Sequence, residues 1–345
     1  MTILYLYAEL MGYNIPVLRE LATTHGAQVH VVHWDHKKLT PYEIPSIHGV
    51  TYYKRSHMDR SSLNKLAQSI KPDLVYVPNW YDKEYLPVCA QLKKNGVPVV
   101  AGLDNQWTGS LKQWFGCLYM RMYLKRFYSH IWVAGPYQYE FARRLGFQKN
   151  KIIFDFYSAD VSAFAKANKL KQTAPIPKKF LFVGRLEPVK GLDLLVQAWK
   201  NIKEKHGWDL TLIGDGSLKE KFMGTHGVTI KDFMQPQQLI QEIVQYGVFV
   251  LPSIYEPYGV VLHEFAAAGL PLIASDTCGA APIFVRDGLS GYQFKTGDVL
   301  QLQNKLEKII ALDVNSLKEM SQSAAARGLI VTPQSSACSF ISVLN

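Results

Sequence analysis

The run S-I-Y-E-P-Y-G-V-V-L-H-E-F-A-A-A-G holds two glutamates, Glu256 and Glu264, eight positions apart, with Gly259 between them and an apolar strand just before. That strand ends at Pro252, and a helix is expected to begin near Val260. The amides of Gly259, Val260 and Val261 would then lie at a helix start, where they lack intrahelical acceptors and the positive end of the helix favours a diphosphate. Glu264, about one turn into the helix, would offer its carboxylate to ribose hydroxyls. Glu256, in the loop, would serve the hydroxyls of a second sugar. Two carboxylates suit a neutral, hydroxyl-rich part of a ligand, because beside a phosphate they would repel it. Taken singly, Glu256 reads as a solvated loop residue and Glu264 as a helix-surface one.

Two further loops bear on the same chemistry. In F-V-G-R-L-E-P-V-K-G (182–191), Gly184 follows a strand and the loop opens a helix whose apolar positions begin at Leu192. Doubly wound folds hold phosphate at such places. Arg185 would grip two phosphate oxygens with its planar guanidinium, and Lys190 would add a mobile point charge; the bland alternative is a surface loop with two ordinary cations. In T-L-I-G-D-G-S-L-K-E-K-F (211–222), Gly214 and Gly216 again sit between strand and helix, but alone this reads better as a plain tight turn.

The elements that must position these loops alternate along the whole chain. Short apolar runs at 2–7, 28–33, 74–77, 97–101 and 130–134 read as strands, with helices such as 14–24 and 63–70 between them. After a Lys- and Pro-rich stretch at 169–179, strands are expected at 180–183, 209–213, 228–231, 248–251 and 272–274. Helices are expected near 191–205, 237–246 and 260–268. Strand–helix alternation with nearly continuous apolar strands implies parallel sheets covered by helices on both faces. The expected organisation is an α/β chain of two Rossmann-like, doubly wound domains: residues 1–170, residues 171–330, and a tail, 331–345, that packs back on the first domain.

Composition supports a soluble chain of 345 residues with 48% hydrophobic and 19% charged residues, enough for two cores. No run of about 18 apolar residues is present to span a bilayer. The start M-T-I-L-Y-L-Y-A-E-L reads as a first strand rather than a signal peptide. Cys89, Cys117, Cys278 and Cys338 lack metal-ligand spacing and are expected to be buried thiols in a reducing compartment, hence a cytoplasmic protein. The net charge of +10 is uneven: residues 1–170 hold 21 Lys+Arg against 12 Asp+Glu, whereas the remainder is nearly balanced. An anionic partner for the first half, or simply a basic solvated surface, follows.

The second half resembles the nucleotide-sugar domain of retaining GT-B glycosyltransferases of family 4. The order G-R-L-E-P-V-K-G, L-I-G-D-G, then V-F-V-L-P-S-I-Y-E-P-Y-G-V-V-L-H-E-F-A-A-A-G-L-P-L-I-A-S-D carries the likeness over about residues 130–300, with the N-terminal domain similar only in outline. The resemblance implies two domains facing a central cleft and retention at the anomeric carbon. Arg185 and Lys190 would lie on the donor diphosphate, Glu264 on the ribose and Glu256 on the transferred sugar, while Gly259, Val260 and Val261 offer amides. It also implies that Asp232, Phe233 and Met234 lie beside the base, and that Gly12 faces the phosphates. Two departures stand out. Many relatives carry a histidine where this chain reads V-V-A-G-L-D-N-Q-W, leaving Asp104 as the nearest substitute. Pro282, in C-G-A-A-P, takes the place of a frequent glutamate.

In residues 107–129, rings such as Trp107 and Trp114 interleave with Arg121, Lys125 and Arg126. Rings and cations on one helix suit a bilayer interface; individually, the rings read rather as core. Together with the charge asymmetry, they point to a membrane-proximal acceptor. The expected reaction moves a hexosyl or N-acetylhexosaminyl group from a nucleoside diphosphate sugar, uridine favoured, to a glycan or lipid-linked acceptor, as in polysaccharide or lipopolysaccharide assembly. It is expected to run without a metal or other cofactor, because fixed cations and helix termini meet the leaving charge. The expected place is the inner face of the membrane. A nucleotide-sugar epimerase of the same fold and a non-catalytic basic module are the alternatives, and no nucleic-acid motif is present.

Overall fold

The computed structural model describes residues 1–35, 42–171 and 175–344. The chain divides into two compact units, Met1–Ser158 with Val331–Asn345, and Ala159–Ile330. The division falls earlier than the expected boundary near residue 170. Its physical reason is helix Val161–Lys171, which packs on helix Val260–Ala267 and so belongs to the second unit. The Lys- and Pro-rich stretch at 169–179 is therefore a connection within that unit; its residues 172–174 lie outside the described residues.

The first unit is built on seven parallel strands: β1 (Thr2–Leu6), β2 (Gln28–His33), β3 (Val50–Lys54), β4 (Leu74–Val77), β5 (Val99–Leu103), β6 (His130–Val133) and β7 (Ile152–Ile153). Their order is β3-β2-β1-β4-β5-β6-β7, with Tyr5 of β1 opposite Val31 on one side and Tyr76 on the other. Central strands such as β4 and β5 are buried throughout, because helices cover both faces. Helix Pro333–Ile341 packs against helix Ile15–Thr23; Gln334 donates to Glu20 at 3.1 Å, and Phe340 stacks on Trp132 at 4.7 Å. The tail thus completes the first unit's own core; Asn345 lies outside the described residues.

The second unit holds six parallel strands: β8 (Lys179–Val183), β9 (Asp209–Ile213), β10 (Val228–Lys231), β11 (Val248–Leu251), β12 (Leu272–Ser275) and β13 (Gly291–Phe294), ordered β10-β9-β8-β11-β12-β13. Both sheets therefore run outward on one side of their first strand and then restart on its other side, the doubly wound pattern.

The strands missing from the sequence expectation are β3, β7 and β13, and each lies at a sheet edge. An edge strand has a neighbour on one side only, so it lacks the continuous apolar run of a central strand. β3 reads V-T-Y-Y-K and is half exposed, β7 has two residues, and β13 begins at a glycine. Cys89, Cys117 and Cys278 are buried as expected, whereas Cys338 is exposed on the tail helix. Among the described residues no helix is long and apolar enough to cross a membrane.

Candidate functional site

In the second unit the winding reverses between β8 and β11, so the loops leaving these adjacent strands open a crevice at their carboxyl ends. These are the G-R-L-E-P-V-K-G and S-I-Y-E-P-Y-G loops. They are locked together through backbone. Gly191, at φ 68° before helix Leu192–Asn201, lies so close to Pro252 that a Cβ would stand 2.0 Å from its carbonyl oxygen. Ile254 N–H also donates to Val189 O at 2.9 Å. A side chain at Gly191 would be excluded twice, by φ and by space.

Across this seam Lys190 Nζ is ion-paired to the Glu256 carboxylate, and the two side chains retain only 16% and 11% exposure. Ser253 Oγ donates to the same carboxylate oxygen at 3.3 Å, and the Glu256 carbonyl accepts from Gly279 N–H at 3.1 Å. Gly259, at φ 88° and ψ 62°, starts helix Val260–Ala267, with Glu256 Cγ 3.0 Å from where its Cβ would be. No side chain among the described residues caps this helix. The sequence put Lys190 on phosphate and Glu256 on sugar. The structure puts each against the other, so a sugar diphosphate would meet a cation and a carboxylate that already share a hydrogen bond.

The G-D-G turn is more than the plain tight turn expected. Gly214 passes so near Gly184 that a Cβ would stand 1.9 Å from its carbonyl oxygen. Leu186 N–H donates to Asp215 O at 2.8 Å, and Leu218 N–H to Leu186 O at 2.9 Å. Ser217 gives both its N–H (3.0 Å) and its Oγ–H (2.7 Å) to Glu187, and these bonds hold the Glu187 carboxyl below its ordinary range. The turn is thus the seat that fixes the Arg-bearing loop, leaving Arg185 exposed. Glu187 and Ser217 carry no sequence signal of this role, since their contact crosses 30 positions.

Glu264 lies within helix Val260–Ala267. It is half-buried, and burial raises its carboxyl to about 7, with the Asp160 carboxylate adding to the rise. Asp160 itself accepts from Ser162 Oγ (2.9 Å) and Ala163 N–H (3.1 Å) at the start of helix Val161–Lys171. The D-V-S-A spacing is a helix-start signal that was available in the sequence. Next to Glu264, His263 is fully buried and stacked on Phe284. Its Nδ1 accepts from Ala159 N–H at 3.1 Å, so Nε2 carries the proton it donates to Gly328 O at 2.9 Å. This neutral imidazole ties helix Val260–Ala267 to both ends of the unit.

The segment expected beside the base follows β10. Asp232 is exposed and paired to Lys219 at 2.6 Å, and Phe233 and Met234 line a surface hollow with Lys231, Gln238 and Gln241. Lys231 is ion-paired with Glu242, which also accepts from Tyr246 Oη at 2.8 Å.

In the first unit Gly12 opens the turn Gly12–Asn14 after β1. Asp104 follows β5; Tyr157 Oη donates to its Oδ2 at 3.1 Å, and Gln138 Nε2 to its backbone carbonyl at 2.8 Å. Burial pushes the Asp104 carboxyl up, against the lowering effect of the Tyr157 bond. Tyr157 also meets Tyr7, whose hydroxyl accepts from Asn14 Nδ2 at 2.9 Å. A hydrogen-bonded chain therefore runs from the Gly12 turn to Asp104, a link that strand patterning could not reveal.

Helix Leu111–Met122 and the turn after it separate the residues grouped in the sequence. Leu111, Trp114, Phe115, Leu118, Tyr119 and Met122 are exposed at helical spacing, while Phe127 and Tyr128 are core. Trp107 does not join the exposed stripe but packs partly buried against Phe141, edge-on to Trp114. Arg121 donates to Arg144 O (2.8 and 3.1 Å) and Lys125 to Gly146 O (2.8 Å), which caps the end of helix Pro136–Arg144. Arg126 lies over the Tyr123 ring at 4.0 Å. Among the described residues, no group of three or more His, Cys, Asp or Glu side chains could hold a metal ion.

Residues 165–327 match the sequence family described as glycosyl transferases group 1. An uncharacterized glycosyltransferase of Methanocaldococcus jannaschii is 34% identical over 113 residues, 31% of this chain and 29% of that protein. Glycogen synthase of Mycobacterium tuberculosis is 25% identical over 265 residues, 72% of this chain and 63% of that protein. The matches thus span less than two thirds of these relatives' own lengths. Among solved structures, Anabaena HepE in complex with UDP superposes with a TM-score of 0.74 at 17% identity, covering 100% of this chain and 99% of that one. The fold is that of GT-B proteins, with two Rossmann-like domains.

Proposed function

We propose that this chain, whose residues 165–327 match the glycosyl transferases group 1 family, moves a hexosyl or N-acetylhexosaminyl group from a UDP-sugar to a glycan or lipid-linked acceptor. The observation that carries this reading is the Lys190–Glu256 pair at the reversal point of the second sheet, beside the uncapped start of helix Val260–Ala267. Breaking the donor's glycosidic bond leaves charge on the diphosphate. Arg185, Lys190 and the amides of Val260 and Val261 are the groups that would stabilise it. Glu256, relieved of part of its bond to Lys190, would accept from hydroxyls of the sugar, and Glu264 from the ribose. Uridine is favoured because the fold neighbour HepE was solved with UDP and with UDP-glucose.

Retention follows from the family resemblance, with the departing diphosphate accepting the acceptor's proton on the same face. The reaction is proposed to run without a divalent ion, since two side-chain cations are available for the leaving charge. The exposed stripe of helix Leu111–Met122, beside Lys112 and Arg126, is the surface on which a cytoplasmic protein would rest at an anionic membrane to reach a lipid-linked acceptor.

The test is a thermal-shift panel of nucleoside diphosphates and their sugars, followed by a transfer assay with and without EDTA. UDP should raise Tm, and Arg185→Ala should diminish that shift while leaving the fold intact by circular dichroism. A panel without response would overturn the donor-site reading, and loss of transfer in EDTA would overturn the metal-free one.

A further inference from the structure

The first sheet has its own reversal point, between β1 and β4, and the loop leaving β4 there is unusual. Asn79 lies at φ 54°, a left-handed conformation uncommon outside glycine, and is 8% exposed. Its Oδ1 is buried without a hydrogen-bond partner among the described residues. A buried acceptor left unsatisfied is costly and calls for a donor from a ligand or water. The next two residues, Trp80 and Tyr81, are 37% and 69% exposed, a large apolar area for a loop.

The surrounding groups make a platform of these rings. Tyr81 packs on Trp34, from the end of β2, at 5.2 Å between ring centres. Trp34 Nε1 donates to Asp82 Oδ2 at 3.3 Å, and Arg55, from the end of β3, grips both Asp82 oxygens at 2.7 and 3.2 Å. The loops after β2, β3 and β4 are thereby joined at the carboxyl edge of the sheet. Because Arg55 and Asp82 neutralise each other, the place has aromatic surface and hydrogen-bonding edges but little net charge.

We propose that this platform binds a neutral pyranose. A sugar ring has an apolar C–H face that suits Trp80 and Tyr81, and hydroxyl edges that can donate to the outer lone pairs of Asp82. The inference rests on the transferase reading only in naming this sugar as the acceptor, and it places acceptor recognition on the sheet edge rather than on helix Leu111–Met122.

The test is saturation-transfer NMR on the whole protein with the methyl glycosides of glucose, galactose, mannose and N-acetylglucosamine, alongside the UDP thermal shift in each variant. At least one glycoside should receive saturation. Trp80→Ala and Tyr81→Ala should each weaken it about tenfold, the scale of one lost ring contact. No transfer to any of the four, or transfer unchanged in both ring variants, would overturn the proposal. A glycoside signal lost in the ring variants of a protein that ignores UDP would uphold the sugar platform and sink the transferase reading, so the two fail separately.

Discussion

Lys190 and Glu256, 66 positions apart in the chain, form a nearly dehydrated ion pair across the reversal point of the second sheet. The cation proposed to meet a phosphate thus lies against the carboxylate proposed to meet hydroxyls. The arrangement keeps Lys190 extended toward the seam and limits the penalty of burying either charge alone.

Removing one partner should therefore hurt more than removing both. Lys190→Ala is expected to cost about 2 kcal/mol of stability, since it strands a mostly buried carboxylate. The double variant Lys190→Ala/Glu256→Ala should lose less than the sum of the singles, by about 1–3 kcal/mol. Urea unfolding of the four proteins measures this, and additive losses would show that the pair is not coupled.

The seam glycines should be intolerant in proportion to what a methyl would meet. Gly191→Ala and Gly214→Ala drive a Cβ to within 2.0 and 1.9 Å of a carbonyl oxygen, whereas at Gly207, also at positive φ, nothing lies within 4 Å. The first two should lose about 3 kcal/mol or more, and Gly207→Ala about 1 kcal/mol. Chemical denaturation midpoints compare them, and equal losses at all three would refute the backbone-contact argument.

Glu264 makes stability depend on pH in a stated direction. Its folded carboxyl titrates near 7, above the ordinary 4.5, so between these values the folded protein binds the extra proton. Stability from this group is then fully present below about pH 4.5 and is lost as pH rises through about 7. Glu264→Gln should flatten the fall in Tm between pH 5 and 8. An unchanged slope in that variant would mean that another group governs it.

Leu111, Phe115 and Met122 are 77%, 71% and 78% exposed on one helix. If that stripe enters a bilayer surface, the protein should sediment with vesicles of phosphatidylglycerol more than with phosphatidylcholine, and less so at high salt. Phe115→Ser with Met122→Ser should weaken sedimentation about tenfold or more, from the apolar area withdrawn. Sedimentation indifferent to both substitutions would remove helix Leu111–Met122 from any membrane role.

The central strands and the loops that follow them were legible because a buried parallel strand is a continuous apolar run, and because glycine next to a cation before a helix has few other uses. Edge strands β3, β7 and β13 were not, since half-exposed or two-residue segments lose that pattern. Local order also could not say which rings of residues 107–129 face outward: Trp114 and Phe115 are exposed, Phe127 and Tyr128 are core, and the choice depends on what the rest of the sheet leaves uncovered.

By itself the sequence determined two strand–helix domains and singled out the residues of the proposed donor site, including Arg185, Lys190, Glu256 and Glu264, because these are properties of short windows. The tertiary structure decided the partnerships. Lys190 meets Glu256 because β8 and β11 are neighbours in the sheet, and Ser217 holds Glu187 because β9 lies beside β8. It also decided that burial, with Asp160 adding to it, raises the Glu264 carboxyl, and that the 331–345 segment serves the first unit's core. Hydrogen bonds and ion pairs act over a few ångströms of space, and only the winding of the chain sets which distant windows come that near.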